Sequence, residues 1–170
     1  DEELLNVRFG YMRFYDCNYE DSSVNYSSGC NTLRRGFDFD YKKLYDNYIK
    51  NEDNRRWTSL QWQLKEGTKY LNDHKATDTA AECRKKFIIL VTDGWDTVAC
   101  GNYVGANPGG DSEDVTGSWS YKRRRATVKA VKEAIDAGYN VFAVGFGADM
   151  PLTERNTLNW VARFGGTDNL

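Results

Sequence analysis

Two stretches of the chain are apolar without interruption and stop abruptly. Residues 87–91, Phe-Ile-Ile-Leu-Val, run into Thr92-Asp93-Gly94, and residues 141–144, Val-Phe-Ala-Val, run into Gly145-Phe146-Gly147. Short, β-branched runs halted by glycine predict parallel strands covered by helices on both faces. A third strand is expected over 7–15, where Val7, Phe9, Tyr11, Arg13 and Tyr15 alternate with Arg8, Gly10, Met12 and Phe14. Its pattern is less clean and places it nearer an edge.

Helical spacing fills the intervals. After Trp57-Thr58-Ser59, the residues Leu60, Leu64, Gly67 and Leu71 fall on one face, with Thr58 or Ser59 as the cap. Glycine costs up to ~1 kcal/mol inside a helix, so Gly67 on that stripe predicts a close approach to the sheet. A second helix is expected over 121–137, with Val128, Val131, Ala134 and Ile135 inward and Gly138 as its stop. A third is expected over 153–164, with Leu158, Val161 and Ala162 inward and Gly165-Gly166 ending it, and a shorter helix over 41–50. Strands alternating with helices in this order predict an α/β domain. The Gly-rich stretch 94–120 follows a strand's C-terminal end, the side of such sheets where ligands bind.

Composition narrows the function classes. The 170 residues suit one domain, and 23 Lys and Arg against 25 Asp and Glu leave a net charge of −2. That balance gives no basic footprint for nucleic acid, and no apolar run of about 18 residues predicts a transmembrane segment. Several aromatic residues lie in polar stretches, among them Tyr19, Tyr26, Tyr103 and Trp119. They either fold back onto the domain or form a contact surface.

Cys17 and Cys30 bracket the polar segment CNYEDSSVNYSSGC, within a cysteine-bearing loop at 16–31 that is poor in core-forming residues. A disulfide closing it is expected, which favours an oxidising compartment. Four cysteines allow three pairings, and Cys83 with Cys100 is left only by subtraction. No secretion signal opens the sequence, so a secreted protein would carry this chain as a processed product or a fragment.

Catalytic motifs are missing from the positions where they would act. There is no G-x-G-x-x-G after a strand, no phosphate-binding G-x-x-x-x-G-K-[ST], no G-x-S-x-G and no H-E-x-x-H. The single histidine, His74, sits in a polar helix end, and no enzyme activity is expected. What the pattern does offer is oxygen donors at one edge of the sheet. Asp93 ends the best strand, Asp96 follows three residues later, and Thr58 opens a helix. A hard cation such as Mg²⁺ takes hydroxyl, carboxylate and water oxygens of this kind. The same residues also read as an Asx-turn that ends a strand and as a plain helix cap.

The string FIILVTDGWDT resembles the fourth strand of von Willebrand factor A domains, and NVFAVGFGA resembles their fifth. Trp57-Thr58-Ser59-Leu60 is similar to their threonine loop, and VRFGYMRF to an earlier strand; the four occur in family order and span nearly the whole chain. The resemblance implies a Rossmann-like, doubly wound, mostly parallel sheet with a metal-ion-dependent adhesion site. In that site a D-x-S-x-S motif supplies most ligands, and Thr58 and Asp93 match the remaining two positions. The ion implied is Mg²⁺ or Mn²⁺, and it requires that motif. The nearest string here, Asp21-Ser22-Ser23-Val24-Asn25, ends in Asn and follows no apolar strand, so it is read as loop. The family's first strand lies mid-sheet, so the domain is expected to be incomplete in this chain, with an open central slot. Either a longer protein or another chain supplies the strand, and the first is favoured. The family's final strand is absent as well.

A narrower resemblance rests on LNWVARFGGTDNL together with the cysteine-bearing insertion. It is similar to the corresponding domain of PilC/PilY-type type IV pilus tip adhesins. This implies a bacterial, extracellular or cell-surface, pilus-associated adhesion module whose partners are a protein or host-surface ligand and pilus subunits. The alternative is an intracellular module of a metal-chelatase or AAA-type assembly.

Overall fold

A computed structural model describes residues 7–14, 31–38, 40–52, 58–93, 96, 98–99, 103–104, 119–147, 150 and 152–168. Strand β1 (Phe9–Phe14) pairs antiparallel with β2 (Asn31–Asp38), from Phe9 opposite Asp38 to Phe14 opposite Asn31. Register shifts on either side of Tyr11 bulge this hairpin. Tyr15, the last residue of the expected strand, lies outside the described residues.

Helix α1 (Tyr41–Asn47) begins at Asp40, whose carboxylate accepts the Lys43 N–H at 2.8 Å. A 3₁₀ turn follows at Ile49–Asn51. Helix α2 (Leu60–Thr77) buries Leu60, Leu64, Thr68 and Leu71, and a 3₁₀ turn at Ala81–Cys83 leads into β3 (Phe87–Thr92). Two short strands, β4 (Val98–Ala99) and β5 (Tyr103–Val104), pair antiparallel. Helix α3 (Trp119–Asp136) then leads to β6 (Asn140–Gly145), and helix α4 (Leu152–Phe164) closes the described chain.

Strands β3 and β6 form the expected parallel pair, from Phe87 opposite Asn140 to Thr92 opposite Gly145. The protein is therefore of mixed α/β class, with a two-stranded parallel sheet among the described residues. One face of that pair carries Ile88, Leu90, Val141 and Ala143. These pack with Leu60 and Leu64 of α2, Ala130, Val131 and Ala134 of α3, and Leu158 and Val161 of α4. The opposite face is uncovered: Ile89 is 56 % exposed, Val91 49 %, Phe142 42 % and Val144 46 %. The apolar runs predict cover on both faces, and the described helices supply it on one.

Both long glycine-stopped helices end as expected. Gly138, at φ 92°, follows α3; its N–H reaches Ile135 O at 2.8 Å and Tyr139 N–H reaches Ala134 O at 2.9 Å. This is the paired closure in which a left-handed residue satisfies the last carbonyls. Gly166, at φ 69°, does the same after α4, where Thr167 N–H reaches Ala162 O at 3.0 Å. Two helical expectations shift. The buried face of α3 is Arg123, Ala126, Thr127, Ala130, Val131 and Ala134, while Val128 and Ile135 are half-buried. Gly67 does face the sheet, but an added methyl there would meet Ile88 Cδ1 at 3.6 Å, an ordinary contact.

Cys17, Cys30 and Cys100 lie outside the described residues, as do Asp21-Ser22-Ser23-Val24-Asn25 and most of 94–120. Cys83 is exposed and free. Among the described residues no helix is long and apolar enough to cross a membrane.

Candidate functional site

A cleft of about 640 Å³ separates the β1–β2 hairpin from β3. Gly10, Tyr11, Met12 and Arg13 of β1 form one bank, and every residue of β3 with Asp93 forms the other. Gln63, Gly67, Tyr70 and Leu71 of α2 lie between them. Arg13 pairs with Glu52 on the β1 side, with both side chains largely withdrawn from solvent. The hairpin is tied to α2 because Phe37 N–H donates to the Tyr70 hydroxyl at 3.1 Å. The Phe37 ring also stands edge-on to His74 at 4.7 Å. His74 thus packs between helix and hairpin and does not line the cleft.

Thr58 and Asp93 both border this cleft. Thr58 is half-buried just before α2, and Asp93 is exposed just after β3. The start of α2 lies near the chain that follows β3, since the Leu60 N–H faces Asp96 at 3.4 Å. Phe146 N–H donates to Thr92 O at 3.1 Å, which fixes the β3 terminus against the turn after β6.

Asp96 has a different task. It is 3 % exposed, accepts the Thr127 hydroxyl at 2.8 Å and faces the Leu60 N–H at 3.4 Å. A carboxylate there complements the positive end of α2 and links α2 to α3. Ser59 occupies the cap position of α2 but makes no side-chain cap bond, and its buried hydroxyl has no partner among the described residues. The expected local cap is therefore replaced by a distant carboxylate. A signal for this existed in the sequence, since Thr127 is a polar residue on the helical stripe that Ala130, Val131 and Ala134 continue.

Thr58 and Asp93 supply hard oxygens of the kind Mg²⁺ takes, but two donors fall well short of its octahedron. Asp96 is already engaged by α2 and α3. Among the described residues no three of His, Cys, Asp and Glu gather closely enough to hold a metal ion. These residues alone do not make a complete metal site.

No family model, curated protein or solved structure matches the chain.

Proposed function

We propose that this chain is a non-enzymatic binding module of the von Willebrand factor A type, serving adhesion or pilus assembly at a bacterial cell surface. Its protein or surface ligand would be met at the C-terminal end of β3. The observation that carries this reading is that Thr58 and Asp93, far apart in sequence, border one cleft. Two hard-oxygen residues lining one cleft are what a metal-ion-dependent adhesion site would retain when its D-x-S-x-S strand is elsewhere. In this reading Mg²⁺ or Mn²⁺ binds weakly or not at all to these 170 residues, and measurably once an upstream D-x-S-x-S strand is joined to them.

Calorimetric titration of Mg²⁺ and Mn²⁺ into both proteins tests this, with Asp93→Ala as the control. Loss of binding in the Asp93→Ala form of the longer protein is expected. Equal binding by the longer protein and its Asp93→Ala form would remove Asp93 from the site. The alternative is an intracellular module of a metal-chelatase or AAA-type assembly, in which Cys83, exposed and free in the structure, and the other cysteines would all stay thiols. Alkylation followed by mass spectrometry separates the two, because free thiols throughout would support the intracellular reading.

A further inference from the structure

The net charge of −2 hides an uneven distribution. Residues 122–132 carry Lys122, Arg123, Arg124, Arg125, Lys129 and Lys132, and no Asp or Glu occurs from 115 to 132. Arg123 is buried, whereas Arg125, Lys129 and Lys132 are exposed. Their spacing of i, i+4 and i+7 sets these three in one line along α3. Arg163 of α4 continues the line through two rings. Lys132 Nζ lies 5.3 Å from the centre of the Phe164 ring, Phe164 stacks on Trp160 at 5.4 Å, and the Arg163 guanidinium lies 5.7 Å over Trp160. Arg125 lies over Tyr121 at 5.6 Å. Phe164 packs against the core, which anchors the series. An aromatic face holds a cation in place without cancelling its charge. Among the described residues, the carboxylate that pairs with any of these four cations is that of Glu133, 3.9 Å from Lys129.

We propose that this ridge docks an extended acidic segment of a partner protein. Charge complementarity selects a polyanion, and the dimensions of the ridge select a slim one. Residues one helical turn apart stand about 5–6 Å from one another at Cβ. Alternate side chains of an extended chain recur about every 6.6 Å. A segment with Asp or Glu at every second position therefore meets Arg125, Lys129 and Lys132 in order and runs on to Arg163. The arginines at either end offer a carboxylate a planar fork, and the lysines between them act as point charges. A broad polyanion fits less well. With so much positive charge gathered here in a chain of net −2, the rest of the molecule is acidic in excess. A membrane face or a nucleic-acid duplex wider than the ridge would meet that excess, beginning with the exposed Glu133 and Asp136 at the end of α3. The rings carry one another and the cations, which leaves little ring face for an unstacked base or a sugar. None of the four cations lines the cleft of Thr58 and Asp93, so the inference goes beyond the adhesion-site reading and stands apart from it.

The probe is a fluorescein-labelled peptide of about eight residues that alternates glutamate with serine, and its control replaces each glutamate by glutamine. Fluorescence anisotropy is read at about 100 mM salt, where charges are screened beyond about 10 Å. Saturable binding of the glutamate peptide is expected, weakened by about tenfold or more at about 500 mM salt. Lys132→Glu with Arg163→Glu should weaken it by at least about tenfold and leave the circular dichroism melt in place, because both side chains are exposed. Lys42→Glu with Lys50→Glu makes the same change of charge in and just after α1 and should leave binding within about twofold. If the first pair fails to fold, Arg125→Gln with Lys129→Gln tests the same line. Absence of binding at about millimolar peptide, equal binding of the glutamine peptide, or equal losses in the two charge-reversed proteins would each overturn the proposal. Tighter binding of duplex DNA, of a sulfated glycan or of anionic vesicles would give the ridge to another class of partner and would overturn it too. A chelator is present throughout, so failure here leaves the Thr58 and Asp93 reading standing, and failure of the Mg²⁺ titration leaves the ridge standing.

Discussion

Replacing Asp96 by alanine removes one carboxylate that serves two helices at once. Thr127, which is 0 % exposed, donates to it at 2.8 Å, and the first N–H of α2 lies 3.4 Å from its other oxygen. Leaving a buried hydroxyl without an acceptor costs about 1–3 kcal/mol. Losing a partly buried negative charge at a helix N-terminus costs up to ~2 kcal/mol more. The expected destabilisation of Asp96→Ala is therefore about 2–4 kcal/mol, a large part of the roughly 5–15 kcal/mol that holds a domain together. Urea unfolding reads it as a lower midpoint at unchanged slope. Thr127→Val supplies the second arm of a double-mutant cycle. Alone it takes one partner from the carboxylate, which keeps the Leu60 N–H, whereas in the double variant no buried hydroxyl is left without its acceptor and that part of the penalty is relieved. A coupling of at least about 1 kcal/mol is expected. Additive costs for the two substitutions would refute the claim that Asp96 is a structural link between α2 and α3.

Other consequences can be checked one by one. Gly165→Ala would place a methyl carbon 2.3 Å from Val141 O and 2.7 Å from Val161 O; the backbone must shift, and a loss of about 1–3 kcal/mol in urea unfolding is expected. Cys17 and Cys30 should appear as a linked pair in a non-reducing peptide map, a closure worth about 3 kcal/mol in the chain-entropy account; Cys17 found unpaired, or linked to Cys83 or Cys100, would contradict it. Burial works upward on the Asp78 carboxyl, but the Ala80 N–H, the Arg84 guanidinium and the nearby His74 together outweigh it and hold it below the usual carboxylate range. A carboxyl depressed in the folded state contributes stability above its unfolded pKa and loses it as pH falls through the folded one; in Asp78→Asn the acid-side decline of the urea midpoint should flatten.

The elements most legible in the sequence are those whose burial pattern is apolar and local. The runs that became β3 and β6 needed no partner to be recognised, and neither did the stripe Leu60, Leu64, Leu71 of α2. Strand β2 is a different case. Its sequence, Asn-Thr-Leu-Arg-Arg-Gly-Phe-Asp, has no clean alternation, and it is a strand because β1 lies beside it. The stripe of α3 was displaced for a related reason: Arg123 and Thr127 point inward, and a reading that expects apolar residues inside rotates the helix away from them. The two-residue strands β4 and β5 fall below the length at which any period is measurable. At the site, Thr58 and Asp93 were legible as ends of elements, because the ends of a strand and a helix in a parallel α/β layer fall on one side. The cap of α2 was not legible, since local chemistry pointed to Thr58 or Ser59 and the acting group lies on a distant segment.

The same contrast separates the two edges of the sheet. The covered edge leaves a mark in the sequence, because only a residue without Cβ lets the turn after α4 lie against Val141, and Gly165 supplies it. Gly165-Gly166-Thr167 therefore follows from packing: one glycine for the close approach, one for positive φ, and a hydroxyl that bonds the strand. That string accordingly speaks for how the edge is closed before it speaks for a pilus or any other partner. The β3 edge, which has no strand partner among the described residues, leaves no comparable mark. Every residue except proline carries the same N–H and C=O, so Ile89 and Val91 look like ordinary core residues until the pairing of β3 fixes which way their backbone points. An apolar run can be recognised as a strand from its side chains, but which of its edges lacks a partner is a property of the assembled sheet.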